Sequence, residues 1–330
     1  MEASPDLTPA HAQEVFETLK SELQRVIVGQ DKILQLLLAA LFANGHCLLI
    51  GVPGLAKTLL VRSLAATLGM SFNRIQFTPD LMPGDILGNE LLHEEAGKIA
   101  FEFQQGPVFT NLLLADEINR TPPKTQSALL EAMQERRVTI ARETRSLPSP
   151  FLVVATQNPI EHEGTYPLPE AQLDRFMFSL RLDYPSPAEE VEIVRRTTMG
   201  DLAELQPVTD APTLLALQRL VLAMPVSDHV LNYAVSIAGA TRPVSAAAAG
   251  PAKSYIEWGA GPRASQYLVL GAKALALLQG KATPEASDVR DACLAVLAHR
   301  IVPNYRATGE GLSAQDIVTQ VLATVREAKY

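Results

Sequence analysis

The 330-residue sequence predicts an α/β fold: a parallel sheet covered by helices on both faces, followed by a helical domain. Three observations predict it. Short apolar runs alternate with helical patterns up to about residue 182. A glycine-bearing loop joins the first of those runs to a helix. After Asp183-Tyr184-Pro185-Ser186-Pro187 the texture becomes helical throughout. Alternation at this spacing is the pattern of a parallel sheet whose strands are joined by covering helices.

Thr8-Pro9-Ala10 reads as an N-cap with proline at the first helical position, opening a helix to about Val26. A second amphipathic helix follows Val28-Gly29-Gln30-Asp31 and covers Ile33 to Phe42. Strands are expected at Cys47–Ile50, Ser71–Phe77, Asn111–Ala115, Phe151–Thr156 and Phe178–Leu182, with helices at Thr58–Leu68 and Pro123–Glu135 between them. Ser186 with Glu189 three positions on is a capping box that opens the helical part. Further helices are expected over 212–223, 228–240, 262–279, 285–298 and 313–327. The segment Val244–Gly261 reads as a loop or small hairpin. The boundary falls near Tyr184, dividing residues 1–184 from 185–330.

Hydrophobic residues make up 47% of the chain and charged ones 19%, the balance of a folded protein rather than a disordered one. Lysine plus arginine total 28 against 36 aspartate plus glutamate, a formal charge of −8, which argues against general nucleic-acid binding. Cys47 and Cys293 lie in apolar patterns without metal-type spacing and are expected to be buried thiols. No basic start precedes an apolar core, and no apolar run approaches the roughly 20 residues a membrane span needs. The expectation is a soluble, cytoplasmic protein without membrane insertion.

Gly51-Val52-Pro53-Gly54-Leu55-Ala56-Lys57-Thr58 lies between a buried-type strand and a helix. Small residues there let backbone N–H groups wrap phosphates, and the helix amino terminus adds favourable partial positive charge. Lys57 is expected on the β- and γ-phosphates of ATP, and the Thr58 hydroxyl on magnesium. The nucleotide-binding set extends through Leu59. Glycine usually precedes the lysine; Ala56 is expected to be tolerated if it is already near helical geometry.

Leu112-Leu113-Leu114-Ala115-Asp116-Glu117 is an apolar strand ending in two carboxylates. Asp116 is expected to hold magnesium and its waters, and Glu117 to orient the attacking water. A further apolar strand ends at Gln157-Asn158-Pro159, placing Asn158 as a neutral polar group at the same sheet edge, suited to the γ-phosphate or the water. Three consecutive residues, Glu161, His162 and Glu163, lack a second histidine or cysteine at ligand spacing, so no metal is expected on them.

The loop Gly51–Thr58, Ala115-Asp116-Glu117-Ile118-Asn119-Arg120 running into Lys124–Glu135, and the stretch Asn158–Phe176 together resemble the MoxR family of AAA+ ATPases. The pieces Gly261-Pro262-Arg263-Ala264 and His299–Pro303 also match, so the resemblance covers about residues 8–328; Ala56 is itself usual in that family. The resemblance implies an αβα core followed by an all-helical lid, with ATP between them. It implies that Val28, Gly29 and Gln30 border the adenine. Asn158 would be the first sensor, Arg263 the second, and Arg175 the finger offered to a neighbour's ATP. For Arg175 the alternative is a salt bridge with Asp174. Whether Arg263 serves its own nucleotide or a neighbour's is left open.

The family also implies a homo-oligomer, a hexamer. Two insertions are expected: one over about 80–106, interrupting the helix after the second strand, and a hairpin over about 136–150. Arg136, Arg137, Arg142 and Arg145 of that hairpin either contact a substrate or form a solvated face. Tyr255 and Trp258 are expected to pack the lid. The implied role is chaperone-like remodelling, maturation or cofactor insertion on a client protein, with a separate von Willebrand factor A domain protein as partner. The rivals are a nucleic-acid motor of the helix-insert branch and a nucleotide-gated scaffold.

Overall fold

A computed structural model of the chain describes residues 7–95, 98–161, 164–198 and 203–327. It opens with α1 (Pro9–Gln24) and α2 (Asp31–Phe42). The Thr8 hydroxyl accepts the His11 N–H at 3.3 Å and so caps α1 as the sequence predicts. Strand and helix then alternate: β1 (Cys47–Ile50), α3 (Lys57–Thr67), β2 (Phe72–Gln76) and α4 (Pro83–Leu87). A hairpin of β3 (Gly88–Glu95) and β4 (Lys98–Gln105) leads into β5 (Leu112–Asp116) and α5 (Pro123–Glu135). A second hairpin, β6 (Arg137–Ile140) and β7 (Glu143–Ser146), precedes β8 (Leu152–Gln157), the short α6 (Glu170–Leu173) and β9 (Phe178–Arg181).

Five of these strands form one parallel sheet in the order β2-β5-β8-β1-β9. The central strands β1, β5 and β8 read as near-continuous apolar runs because both their faces are covered. Alternate residues supply the two cores. Leu49, Leu112, Leu114 and Val154 face α1, α2, α3 and the helical part. Leu48, Leu113, Ala115, Val153 and Ala155 face α5 and the hairpins.

The helical part comprises α7 (Pro187–Thr198), α8 (Ala211–Ala223), α9 (Asp228–Ala240), α10 (Gly250–Tyr255), α11 (Pro262–Leu278), α12 (Ala286–Leu297), α13 (Tyr305–Gly309) and α14 (Ala314–Thr324). It shares a core with α1–α3, through residues such as Leu217, Leu268 and Leu275.

Three details depart from the sequence reading. Within 244–261, Gly250–Tyr255 is a helix, and β10 (Ile256–Trp258) pairs antiparallel with the distant β11 (Val302–Pro303). The helical part thus carries one two-stranded ribbon, whose partner strand lies too far along the chain for local pattern to reveal. Trp258 is 70% exposed on that ribbon rather than packed. In the stretch 80–106, the short α4 precedes the β3–β4 hairpin, and among the described residues no helix resumes before β5. The Cys47 and Cys293 thiols are buried, and burial pushes both up in pKa, that of Cys293 to about 12.

Candidate functional site

β1 lies between β8 and β9, and β8 separates it from β5. At about 4.8 Å per strand, the loop after β1 and the acidic end of β5 stand roughly 10 Å apart, with the end of β8 between them. Strand order reverses here, and the crevice beyond the carboxyl ends of such a sheet is where ligands enter.

The loop from Gly51 to Ala56 turns β1 into α3. Gly54 has φ +87°, a conformation side chains resist. Ala56 has φ 55° and ψ 25°, which corrects the expectation of near-helical geometry. An L-residue in that left-handed region costs about 1–2 kcal/mol. Alanine is small and exposed there, and its carbonyl still starts the helix by accepting the Leu60 N–H at 2.9 Å.

Lys57 Nζ donates to the Gly51 carbonyl at 2.5 Å, across the mouth of the loop. Burial lowers its pKa, and the charges of Asp116, Glu117 and Glu161 work against that lowering. The lysine therefore stands in the field of the acidic pair. The Thr58 hydroxyl, in the first turn of α3, makes no hydrogen bond among the described residues.

Asp116 is largely buried. Its Oδ1 accepts from Thr156 Oγ1 at 2.6 Å, and its Oδ2 accepts from Arg74 Nη2 at 2.7 Å and Nε at 3.1 Å. Glu117 has φ 56° and ψ 50°, so the chain turns at the strand end and its N–H meets Thr156 Oγ1 at 2.8 Å. Its carboxylate accepts from Gln76 Nε2 at 2.7 Å and pairs with Arg120 at 3.1 Å. Thr156 thus ties both acidic residues to β8.

Sequence reasoning missed Arg74, Gln76, Thr156 and Arg120. One signal existed: two long polar side chains at alternate positions of β2, with Gln76 in register with Asp116.

Asn158 sits just past β8, 3% exposed. Its Oδ1 accepts the Ile160 N–H at 3.2 Å, and its Nδ2 is buried without a partner among the described residues. A buried amide donor left unpaired is costly, so this group fits an acceptor such as a phosphate oxygen. Thr58 and Asp116 supply the hydroxyl and carboxylate that magnesium takes. Among the described residues no cluster of histidine, cysteine and carboxylate suits another metal ion; His162 and Glu163 lie outside the described residues.

Beside the loop is a cavity of about 280 Å³, lined by Val28, Gln30, Gly54, Leu55, Ala56 and Leu59 below and Ile193, Arg196 and Thr197 of α7 above. Arg196 Nη1 donates to the carbonyls of Gln24 and Arg25 at 2.9 and 3.0 Å, fixing this roof to the end of α1. Gly29 does not line the cavity. It has φ +68°, and a Cβ there would stand 2.4 Å from Glu189 Oε1, so it lets the cap of α7 approach. Gly51, Val52, Pro53, Lys57 and Thr58 lie along the loop outside this lining.

Arg175 and Arg263 are elsewhere. The Met177 N–H donates to the His46 carbonyl at 2.8 Å, immediately before β1. Arg175 is therefore at the amino edge of the sheet, opposite the phosphate loop, across four-residue strands about 13 Å long. Asp174 pairs with Arg263 at 3.2 Å and Arg300 at 2.8 Å, so the alternative Asp174–Arg175 bridge does not form. Arg175 and Arg263 both border a cavity of about 170 Å³ with Arg136 and Tyr267. Neither lines the cavity beside its own loop.

In the β6–β7 hairpin, Arg137 pairs with Glu135 at 3.2 Å, and Arg145 pairs with Glu143 and stacks over Phe103 at 4.0 Å. Arg136 turns back to the Asn44 carbonyl at 3.0 Å. Arg142 is exposed and makes no ion pair among the described residues.

Residues 46–178 match the model of the ATPase family associated with various cellular activities, and residues 249–321 match the AAA lid domain. Chaperone MoxR1 of Mycobacterium tuberculosis is 45% identical over 98% of this chain and 86% of its own length. The YeaC protein of Bacillus subtilis is 44% identical over 92% of each chain. A crystal structure of a candidate ATPase from Cytophaga hutchinsonii superposes with a TM-score of 0.88 at 40% identity, over 97% of both chains. A nucleotide-binding core and lid shared across nearly the whole length with a MoxR protein place this chain in the MoxR family of AAA+ ATPases.

Proposed function

We propose that the chain hydrolyses ATP with magnesium at the edge formed by β1, β5 and β8, as a ring in which each site is completed by a neighbouring copy. One observation carries the second half of this reading. Arg175 stands at the sheet edge opposite its own phosphate loop, without an ion pair among the described residues, so it has nucleotide to meet only on another subunit. Arg263, held to Asp174, belongs to the same edge and acts in trans with it.

In this reading the adenine lies in the cavity between Val28, Gln30, Leu55 and Leu59 and the α7 roof. Backbone N–H groups of 51–58 and Lys57 hold the phosphates, Lys57 exchanging the Gly51 carbonyl for phosphate oxygens. Thr58 and Asp116 would hold magnesium, which would supply neutralisation of phosphate charge. Glu117 orients the attacking water and accepts its proton's hydrogen bond, and Asn158 Nδ2 donates to the γ-phosphate or to that water. A neighbour's Arg175 stabilises charge that grows in the transition state, an effect worth roughly 10³–10⁵ in rate.

The ring, a hexamer by family resemblance, would drive chaperone-like remodelling or cofactor insertion in a client protein, in the cytoplasm, with a separate von Willebrand factor A domain protein. That the M. tuberculosis relative is named a chaperone supports the first part. A nucleic-acid motor has less support, given the net charge of −8. A nucleotide-gated scaffold would not need Glu117 and Asn158 set at the same edge.

The test is steady-state ATPase rate against protein concentration for wild type, Glu117→Gln and Arg175→Ala. Specific activity should rise with concentration and be lost in both variants. A flat dependence with an active Arg175→Ala would remove the shared-site model.

A further inference from the structure

The turn that carries Arg175 is held by the helical lid as well as by the core beneath it. Arg300 follows the end of α12, and its side chain is 1% exposed. Its Nε donates to Asp174 Oδ1 at 2.8 Å, its Nη2 to the carbonyls of Asp174 at 2.9 Å and Phe176 at 2.6 Å, and its Nη1 to the Met177 carbonyl at 3.2 Å. The Arg175 carbonyl, between these, meets Tyr267 Oη of α11 at 3.5 Å. The Tyr267 ring in turn lies 4.9 Å beneath the Arg300 guanidinium. Asp174 Oδ2 is taken by Arg263 at 3.2 Å. Four consecutive carbonyls, from Asp174 to Met177, thus face lid side chains, three of them one guanidinium.

A buried guanidinium is expensive to leave unpaired, and only the planar fork of arginine reaches several acceptors at once. Nothing in binding ATP within one subunit calls for this arrangement, because the turn lies at the sheet edge away from the phosphate loop. What it fixes is the backbone of Arg175 relative to α11 and α12, and α11 packs on α1, whose end holds the α7 roof of the same subunit's nucleotide cavity.

We propose that Arg300 is a positioning residue that ties the Arg175 turn to the lid, so that lid placement over one subunit's nucleotide sets how that subunit presents Arg175 to its neighbour. This rests on the reading of Arg175 as acting in trans. A shift of about 1 Å in such a group costs on the order of 100-fold in rate. Arg300→Lys keeps a charge but loses the fork, and Asp174→Asn keeps the backbone carbonyl but loses the carboxylate. Each should lower kcat about 10- to 100-fold while leaving the Kd of a fluorescent ATP analogue, measured in a Glu117→Gln background, and ring assembly by sedimentation unchanged.

The deciding experiment is complementation. Arg300→Lys subunits keep an intact active site and offer a misplaced Arg175, whereas Glu117→Gln subunits offer a sound Arg175 and cannot hydrolyse. Co-expressed in equal amounts, random head-to-tail assortment makes roughly a quarter of the interfaces competent, and activity should return to about that fraction of wild type. Arg175→Ala with Glu117→Gln serves as the reference pair. If the reference pair fails to complement, Arg175 does not act in trans. If the reference pair complements while Arg300→Lys with Glu117→Gln stays inactive, Arg300 supports its own subunit's site and the proposal falls. Wild-type kcat in Arg300→Lys overturns it equally. Should Arg300→Lys fail to fold, Asp174→Asn with Glu117→Gln decides by the same outcomes.

Discussion

Arg74 occupies one oxygen of the carboxylate assigned to magnesium, so replacing it should tighten metal binding. Its guanidinium meets Asp116 Oδ2 at 2.7 and 3.1 Å, while Thr156 holds Oδ1. Two unit charges 4 Å apart attract by about 4 kcal/mol at an effective dielectric constant of 20. Arg74 is 46% exposed, however, although Asp116 is only 11% exposed, and solvent screens the pair toward the ~1 kcal/mol end measured for surface bridges. Removing about 1 kcal/mol of competition corresponds to roughly a fivefold change in an equilibrium constant. Arg74→Ala in a Glu117→Gln background, saturated with ATP, should therefore bind Mg²⁺ about threefold to tenfold more tightly. Titration calorimetry, or competition against Mn²⁺ followed by electron paramagnetic resonance, reads this without turnover. An unchanged or weaker affinity would mean that Arg74 and metal do not compete for Asp116, and that the arginine supports the metal-bound carboxylate instead.

Two further outcomes follow from single residues. His46 Nδ1 accepts the Val153 N–H at 2.9 Å and Nε2 faces the Met133 carbonyl at 3.1 Å, an arrangement only the neutral ring satisfies. Burial, then the charge of Arg136, lowers its pKa from 6.5 to about 4. The unfolded chain therefore takes up a proton that the native chain refuses, so stability is complete above pH 6.5 and falls toward pH 4, by up to about 3 kcal/mol. Urea midpoints measured across that window should fall, with a smaller slope in His46→Gln; an identical slope would remove His46 as the cause. Ala56→Gly relieves the left-handed strain of about 1–2 kcal/mol but adds about 0.4–1 kcal/mol of unfolded-state entropy. A net gain of about 0.5 kcal/mol in urea unfolding is expected, and a loss would show that the alanine side chain packs favourably.

The sequence alone predicted the parallel sheet, because short strand patterns, the central ones wholly apolar, alternate with helical ones, and the strand bounds fell within a residue or two. It equally singled out Lys57, Thr58, Asp116 and Glu117 as candidates for the chemistry, since each sits at a strand end or loop whose neighbours point to it. Ala56 shows the limit of local reasoning: near-helical geometry was the condition for tolerating alanine there, whereas the loop holds it at φ 55°.

Only the tertiary structure decided which distant residues share an edge. Arg74, Gln76 and Thr156 reach the acidic pair because β2, β5 and β8 are neighbours, an order that no single segment encodes. β10 finds β11 across more than forty residues for the same reason. Above all, Arg175 could be singled out as a candidate by resemblance but not placed. Its position opposite its own phosphate loop follows from the parallel pairing of β9 with β1, and its anchoring by Arg300 follows from how α11 and α12 pack on that edge. Local pattern sets what each segment becomes; the packing of segments far apart in the chain sets what each side chain meets.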